Sequence, residues 1–154
     1  MKVKEIMTAP VITASGQDSV TEIAELLRHH SISAVPITDA AGAVVGLVSE
    51  HDLLAKTGST AREIMSAEVI SVSEDTEVDD VRLLLVERRI RRLPVLSGTQ
   101  LVGIVSRSDI VALLAMEWVC EVCGEPIHGG RPPLRCPRCG AVDRFVEQQQ
   151  PPGD

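Results

Sequence analysis

The chain repeats itself in register. Glu5-Ile6-Met7-Thr8-Ala9 returns as Glu63-Ile64-Met65-Ser66-Ala67, Val11-Ile12 as Val69-Ile70, and Pro36 as Pro94. Gly46-Leu47-Val48-Ser49-Glu50-His51-Asp52 returns as Gly103-Ile104-Val105-Ser106-Arg107-Ser108-Asp109. The offset is 58 residues from Glu5 to Glu63 and 57 from Gly46 to Gly103. The lost residue falls between Asp39-Ala40-Ala41-Gly42 and Ser97-Gly98-Thr99, turns where a change of length costs least. Two copies are too few for a solenoid, so the natural solution is a pair packed face to face.

Each copy reads β-α-β-β-α, which predicts an α+β fold. Short strands are expected at Val11 to Ala14 and Val69 to Val72, behind cap-like Asp18-Ser19 and Glu74-Asp75-Thr76. Val20, Ile23, Ala24 and Leu27 then fall on one helical face, as do Val78, Val81 and Leu85. Those helices end in charge, at Arg28-His29-His30 and Glu87-Arg88-Arg89, and His29, His30 and His51 read as surface residues. Hairpins follow: Ala34 to Thr38 with Val44 to Ser49, and Leu93 to Leu96 with Leu101 to Ser106. Pro36 and Pro94 place their strands at an edge, or interrupt them there, and leave backbone polar groups free for a ligand.

Closing helices are expected over Asp52 to Lys56 and Asp109 to Trp118, so Ser49 and Asp52, like Ser106 and Asp109, sit where strand turns into helix. A Ser with an acid three residues on is an ordinary capping box. The same geometry also offers free amides to an anion and a carboxylate to a ribose diol. The two roles are compatible.

The duplicated unit, the Val35-Pro36 and Leu93-Pro94 pairs and the two Gly-h-h-Ser-x-x-Asp stretches (h, aliphatic) resemble a tandem of CBS domains, the arrangement called a Bateman module, over residues 1 to about 116. The resemblance implies two β-α-β-β-α repeats packed as a pseudo-twofold pair, with related clefts for adenosine-containing ligands: AMP, ADP, ATP or S-adenosylmethionine. Carried over by position, it implies that Asp52 and Asp109 hold ribose hydroxyls and that Ser49 and Ser106 donate to phosphate. Adenine would lie against Ile12-Thr13 and Ala34-Val35-Pro36 in one cleft, and against Ile70-Ser71 and Leu93-Pro94 in the other. Arg91 and Arg92 stand where the family places phosphate-binding basic residues, whereas the first copy has Ser33-Ala34, so unequal clefts are expected. His51 and Ser108 depart from the Arg often found before each Asp. The family also implies a homodimer.

All four cysteines lie beyond the repeats, in Cys120-Glu121-Val122-Cys123-Gly124 and Cys136-Pro137-Arg138-Cys139-Gly140, with twelve residues between Cys123 and Cys136. Each knuckle turns two thiolates toward one point, and four close a tetrahedral shell around a metal; disulfides are the rival reading. The pattern resembles a zinc ribbon, and the second knuckle also that of rubredoxin, so zinc is expected, with iron as the alternative. Four thiolates leave no open position, which makes the site structural unless iron brings one-electron chemistry. His128 reads as a loop residue, Trp118 as a ring wedged where ribbon meets module, and Phe145 as the ribbon's own core.

The expected organisation is therefore 1–58 and 59–116 for the repeats, 117–147 for the ribbon and 148–154 for a disordered tail. Net charge is −7, and Trp118 and Phe145 are the only aromatics, which argues against nucleic-acid binding by the whole surface. In the ribbon Arg131, Arg135, Arg138 and Arg144 are balanced by Glu121, Glu125, Asp143 and Glu147. No long apolar run and no signal-like N-terminus occur, so a cytoplasmic protein without membrane association is expected. The reading is a regulatory, non-enzymatic sensor of an adenosine compound with an unidentified protein partner. A rubredoxin-like iron redox protein, or a ribbon that binds nucleic acid, are the alternatives.

Overall fold

Strand, helix and hairpin follow one another twice. The first repeat contains β1 (Ala14–Ser15), α1 (Val20–His30), β2 (Ala34–Thr38), β3 (Val44–Ser49) and α2 (Glu50–Ala55). A one-turn helix, α3 (Ala61–Ile64), leads to β4 (Val72–Ser73), α4 (Val78–Glu87), β5 (Arg92–Ser97), β6 (Gln100–Ser106) and α5 (Arg107–Leu114). The ribbon adds β7 (Glu117–Cys120), β8 (Pro126–His128) and β9 (Phe145–Gln148). The structure, a computed structural model, describes residues 1–148. The expected tail therefore lies outside the described residues except for Gln148, which pairs with Glu117. The chain divides into two compact units, Lys2–Ser106, and Met1 with the residues from Arg107 onward.

Each repeat forms a three-stranded sheet, ordered β1-β2-β3 and β4-β5-β6, with the first pair parallel and the second antiparallel. The proline strands β2 and β5 are central, not edge strands. Leu47 exchanges both backbone hydrogen bonds with Ser66, at 3.0 and 2.9 Å, so its cross-strand pair with Pro36 is a non-hydrogen-bonded one. Pro36 thus turns its nitrogen away from β3, toward β1. Ile104 does the same with Thr8, at 3.0 and 2.8 Å, opposite Pro94.

That geometry also explains why the first strands are short. The expected strands begin only at Ala14 and Val72, which pair with Ile37 and Val95. Extending either ladder backward would need an N–H from Pro36 or Pro94, and proline has none. The β2–β3 and β5–β6 ladders run through Pro36 and Pro94 without a break, so neither expected arrangement, edge strand or interrupted strand, is found; the prolines instead limit the parallel ladders to two residues.

The segments leading into the repeats are exchanged. Val3 donates to the Thr76 carbonyl at 2.8 Å and Thr8 bridges Ile104, so the first lead segment lies on the second repeat. Ala61 donates to the Asp18 carbonyl at 2.8 Å, Arg62 to that of Gly16 at 2.9 Å, and Ser66 bridges Leu47, so the second lies on the first. Ala61 and Ile64 complete a core with Ile23, Leu27, Val35, Ile37 and Val48. The repeated Gly is where each Met lands: a Cβ on Gly46 would stand 2.9 Å from Met65 Cγ, and one on Gly103 2.7 Å from Met7 Cγ.

The helices follow the apolar pattern closely. Ile23, Leu27, Val78, Val81 and Leu85 are buried, while Ala24 stays exposed. Ser19 caps α1, accepting from Glu22 N at 3.1 Å, whereas α4 starts after Glu77, not Glu74 to Thr76. Ser31 and Arg89, equivalent by the repeat, leave their helices in the left-handed region at φ 52° and 53°. α5 stops at Leu114, short of Trp118, because Trp118 and Val119 are recruited to the central ribbon strand between β8 and β9.

Candidate ligand cleft and metal centre

At the end of β3 the chain turns directly into α2, and the Ser49–Asp52 turn forms as a capping box. Ser49 Oγ accepts from Asp52 N at 3.3 Å, and Asp52 Oδ2 accepts from Ser49 N at 2.9 Å and Ser49 Oγ at 3.0 Å. Asp52 Oδ1 takes Lys56 Nζ at 2.9 Å and Ser66 Oγ at 3.3 Å. With 4% of its surface exposed, Asp52 is a buried charge whose two oxygens already have four protein donors. Burial pushes its pKa up, but hydrogen bonds from Lys56 and Ser49, with the charge of Lys56, outweigh that and hold it below the ordinary carboxylate value. A ribose hydroxyl would have to take the place of one donor, and the exposed Lys56 and Ser66 yield most cheaply.

Around this turn the structure sorts the expected ligand residues. Val35, Pro36, Leu93 and Pro94 are fully buried, backbone included, and Ala34 nearly so, so these residues present almost no surface to a base. Ile12 is half-buried, while Thr13, Ile70 and Ser71 are exposed. Ser106 ends β6 and Asp109 lies in the first turn of α5, both half-buried. Arg91 is exposed. Arg92, expected to serve the second cleft, instead donates from Nη2 to Ser33 Oγ of the first repeat. Burial, then the neighbouring charge of Arg91, lower its pKa.

Two cavities border these residues. One of about 700 Å³ is lined by Leu27, Arg28, Ser33, Glu50, Leu53 and Leu54, on α1, α2 and the approach to β2. Another, of about 360 Å³, is lined by Pro10, Thr13, Thr38, Gln100 and Leu101. Of the expected ligand residues only Thr13 lines either. Sequence reasoning missed Lys56 and Ser66. Lys56, four residues after Asp52 on one helix, was legible from spacing. Ser66 reaches Asp52 only through the exchanged lead segment.

The two Cys knuckles have the same backbone. Gly124 and Gly140 adopt φ of 77° and 78° and donate to the Cys120 and Cys136 carbonyls at 2.8 and 2.9 Å. Cys120 and Cys136 are buried, and the four Sγ atoms lie within 4.8 Å of one another. The separations Cys120–Cys139 and Cys123–Cys136 are 3.7 and 3.6 Å. A tetrahedral ion with metal–sulfur bonds of about 2.3 Å requires about 3.8 Å between sulfurs, so the residues fit a metal. These spacings are too long for disulfides, and all four thiols are free. Backbone N–H groups of Cys139 and Arg138 hold Cys136 down at about 7, burial notwithstanding.

β7 holds the first knuckle at its end, and Trp118 Nε1 donates to the Gly129 carbonyl at 2.9 Å, so the indole is engaged within the ribbon. Gly130 lies against α5: a Cβ there would stand 3.3 Å from Leu113 Cβ. His128 is exposed and 3.6 Å from Glu117, apart from the thiols. Among the described residues no helix is long and apolar enough to cross a membrane.

Two β-α-β-β-α repeats with exchanged lead segments, each ending its hairpin in a Ser-x-x-Asp turn, define a paired-repeat module. The CBS domain family matches residues 3–57 and 61–116, and the chain belongs to that family. It is 38% identical over 120 residues to protein MK0525 of Methanopyrus kandleri, covering 72% of this chain and 61% of that protein. Among solved structures, the CBS domain pair of protein MJ0100 in complex with 5′-methylthioadenosine and S-adenosyl-L-methionine superposes with a TM-score of 0.69. It shares 37% identity, over 73% of this chain and 94% of that one. CBSX2 in complex with AMP also gives 0.69, at 28% identity over 72% and 93% of the two chains.

Proposed function

We propose that the chain is a regulatory, non-enzymatic module in which the CBS pair binds an adenosine-containing ligand and the four cysteines hold a structural zinc ion. The observation that carries the reading is the buried Asp52 carboxylate at the Ser49 turn, in a pair whose solved relatives hold AMP or S-adenosylmethionine. Ser49 and Asp52, with Ala34 to Pro36 and Ile12-Thr13, form the first site; Ser106, Ile70-Ser71 and Leu93-Pro94 form the second, and Asp109 is the second repeat's counterpart of Asp52. Ligand competes with Lys56 and Ser66 for Asp52 and so acts on the segment that joins the repeats. It shifts the arrangement of that segment only by its differential affinity for the two states.

The module is cytoplasmic and works as a homodimer. Leu54 on α2 is 89% exposed and Val86 on α4 68%, apolar surface that a second copy would cover. The zinc, when bound, cross-links the two knuckles and stabilises the ribbon as a docking element for a protein partner. Titration calorimetry with AMP, ADP, ATP and S-adenosylmethionine tests the ligand reading, repeated with Asp52→Asn and Asp109→Asn. Loss confined to one variant locates the occupied cleft, and no heat with any compound at millimolar concentration refutes the reading. Metal analysis of the purified protein decides between colourless zinc and coloured iron.

A further inference from the structure

The closing helix α5 is short and little buried. Of its eight residues only Ile110 is buried, while Val111 and Leu114 are 61% and 68% exposed. A helix of this length is marginal alone and takes its order from what it packs against. The first repeat meets that need with a staple. Four residues after Asp52, Lys56 Nζ reaches Asp52 Oδ1 at 2.9 Å, the Ile64 carbonyl at 3.2 Å and Ser66 Oγ at 3.4 Å, which ties α2 to the lead segment. Four residues after Asp109 stands Leu113, which has no ammonium to give.

Leu113 meets the ribbon instead. A Cβ on Gly130 would stand 3.3 Å from Leu113 Cβ, so the absence of a side chain there lets the loop come down onto the helix. Gly129 N donates to the Met116 carbonyl at 2.9 Å, just past the end of α5. The Gly129 carbonyl accepts from Trp118 Nε1 at 2.9 Å. The Gly129-Gly130 loop therefore joins α5 to β7, the strand that ends in Cys120, and it lies in sequence between the two knuckles. α5 and the ribbon belong to one compact unit.

We propose that the ribbon is the lock of α5: ligation of a metal by Cys120, Cys123, Cys136 and Cys139 fixes the Gly129-Gly130 loop on Leu113, and so fixes the helix that carries Asp109. Metal loading and the binding of an adenosine ligand by Asp109 are then coupled. Each strengthens the other by the same factor, because linkage between two binding equilibria is reciprocal. The proposal rests on two readings given above, the four-thiolate metal site and Asp109 as a ribose ligand. It gives the ribbon a task within its own chain. The ribbon does for the second closing helix what Lys56 does for the first, but only while a metal is held.

The test uses the full chain and two readouts. Hydrogen exchange read by mass spectrometry compares Ile110 to Met116 with zinc loaded and after chelation; these amides should lose protection on chelation, and those of α1 should not. Zinc affinity is measured by competition with a chromophoric chelator, with and without saturating AMP. AMP should tighten zinc binding at least about fivefold. Asp109→Asn, Leu113→Ala and Gly130→Val should each abolish that gain, and Asp52→Asn should leave it in place. Unchanged protection of α5 on chelation, a zinc affinity indifferent to bound AMP, or a gain that survives both Leu113→Ala and Gly130→Val would each overturn the proposal and leave the two readings standing. A chain that takes up no zinc, or that binds neither AMP nor S-adenosylmethionine, overturns the reading concerned and the coupling with it. The exchange comparison on the unmodified chain holds whether or not the variants fold.

Discussion

A carboxylate with four protein donors, as at Asp52, carries structural weight before any ligand arrives. Asp52→Ala removes the carboxylate half of the capping box and takes one acceptor each from Lys56 and Ser66, so stability should fall by about 1–3 kcal/mol in urea unfolding. Its pKa is depressed in the folded protein. Its contribution is therefore present above the unfolded value of about 3.9 and is lost as pH falls through the lower folded value. Urea midpoints measured from pH 6 down to pH 3 should drop at the acid end, with a shallower drop for Asp52→Asn. The glycine of the same stretch is decided by space: Gly46→Ala should cost about 1–3 kcal/mol through overpacking against Met65. A double-mutant cycle with Met65→Ala should return a favourable coupling, and additive effects would show that Met65 is not the cause.

Among the elements, the ribbon is where the proposed metal is tested, since its four cysteines are gathered within 4.8 Å. Its strands pair over three or four residues, with Trp118 and Phe145 only half-buried, a small core that a metal cross-link would hold closed. Chelation, or Cys136→Ser, should therefore melt the ribbon while the repeats persist, seen as loss of Trp118 fluorescence anisotropy with most helical circular dichroism retained. Thiolate ligation also makes the metal acid-labile, because protons compete for each sulfur. Zinc release followed by a chromophoric chelator should rise as pH falls, at one ion per chain. The helices α1 and α4 need no such aid, since Ile23, Leu27, Val81 and Leu85 are buried.

For the molecule as a whole, the proposed homodimer is tested at the exposed apolar side chains of α2 and α4. Leu54→Asp should shift sedimentation equilibrium from dimer to monomer, weakening association at least about tenfold, since burying one leucine is worth about 1.5–3 kcal/mol. The sequence by itself determined the duplication, the helical faces, the hairpins and the two knuckles, because each is written in spacings of a few residues that local geometry reads directly. Only the tertiary structure decided that Pro36 and Pro94 sit in central strands, that Ser66 and Lys56 share Asp52, and that Arg92 meets a serine 59 residues away. The physical reason is the duplication itself. Two near-identical hairpins offer two near-identical seats, at Leu47 and Ile104, and each lead segment carries the same Glu-Ile-Met signature for either. No local pattern distinguishes those seats; the folded pair does, by placing each methionine on the glycine of the opposite repeat.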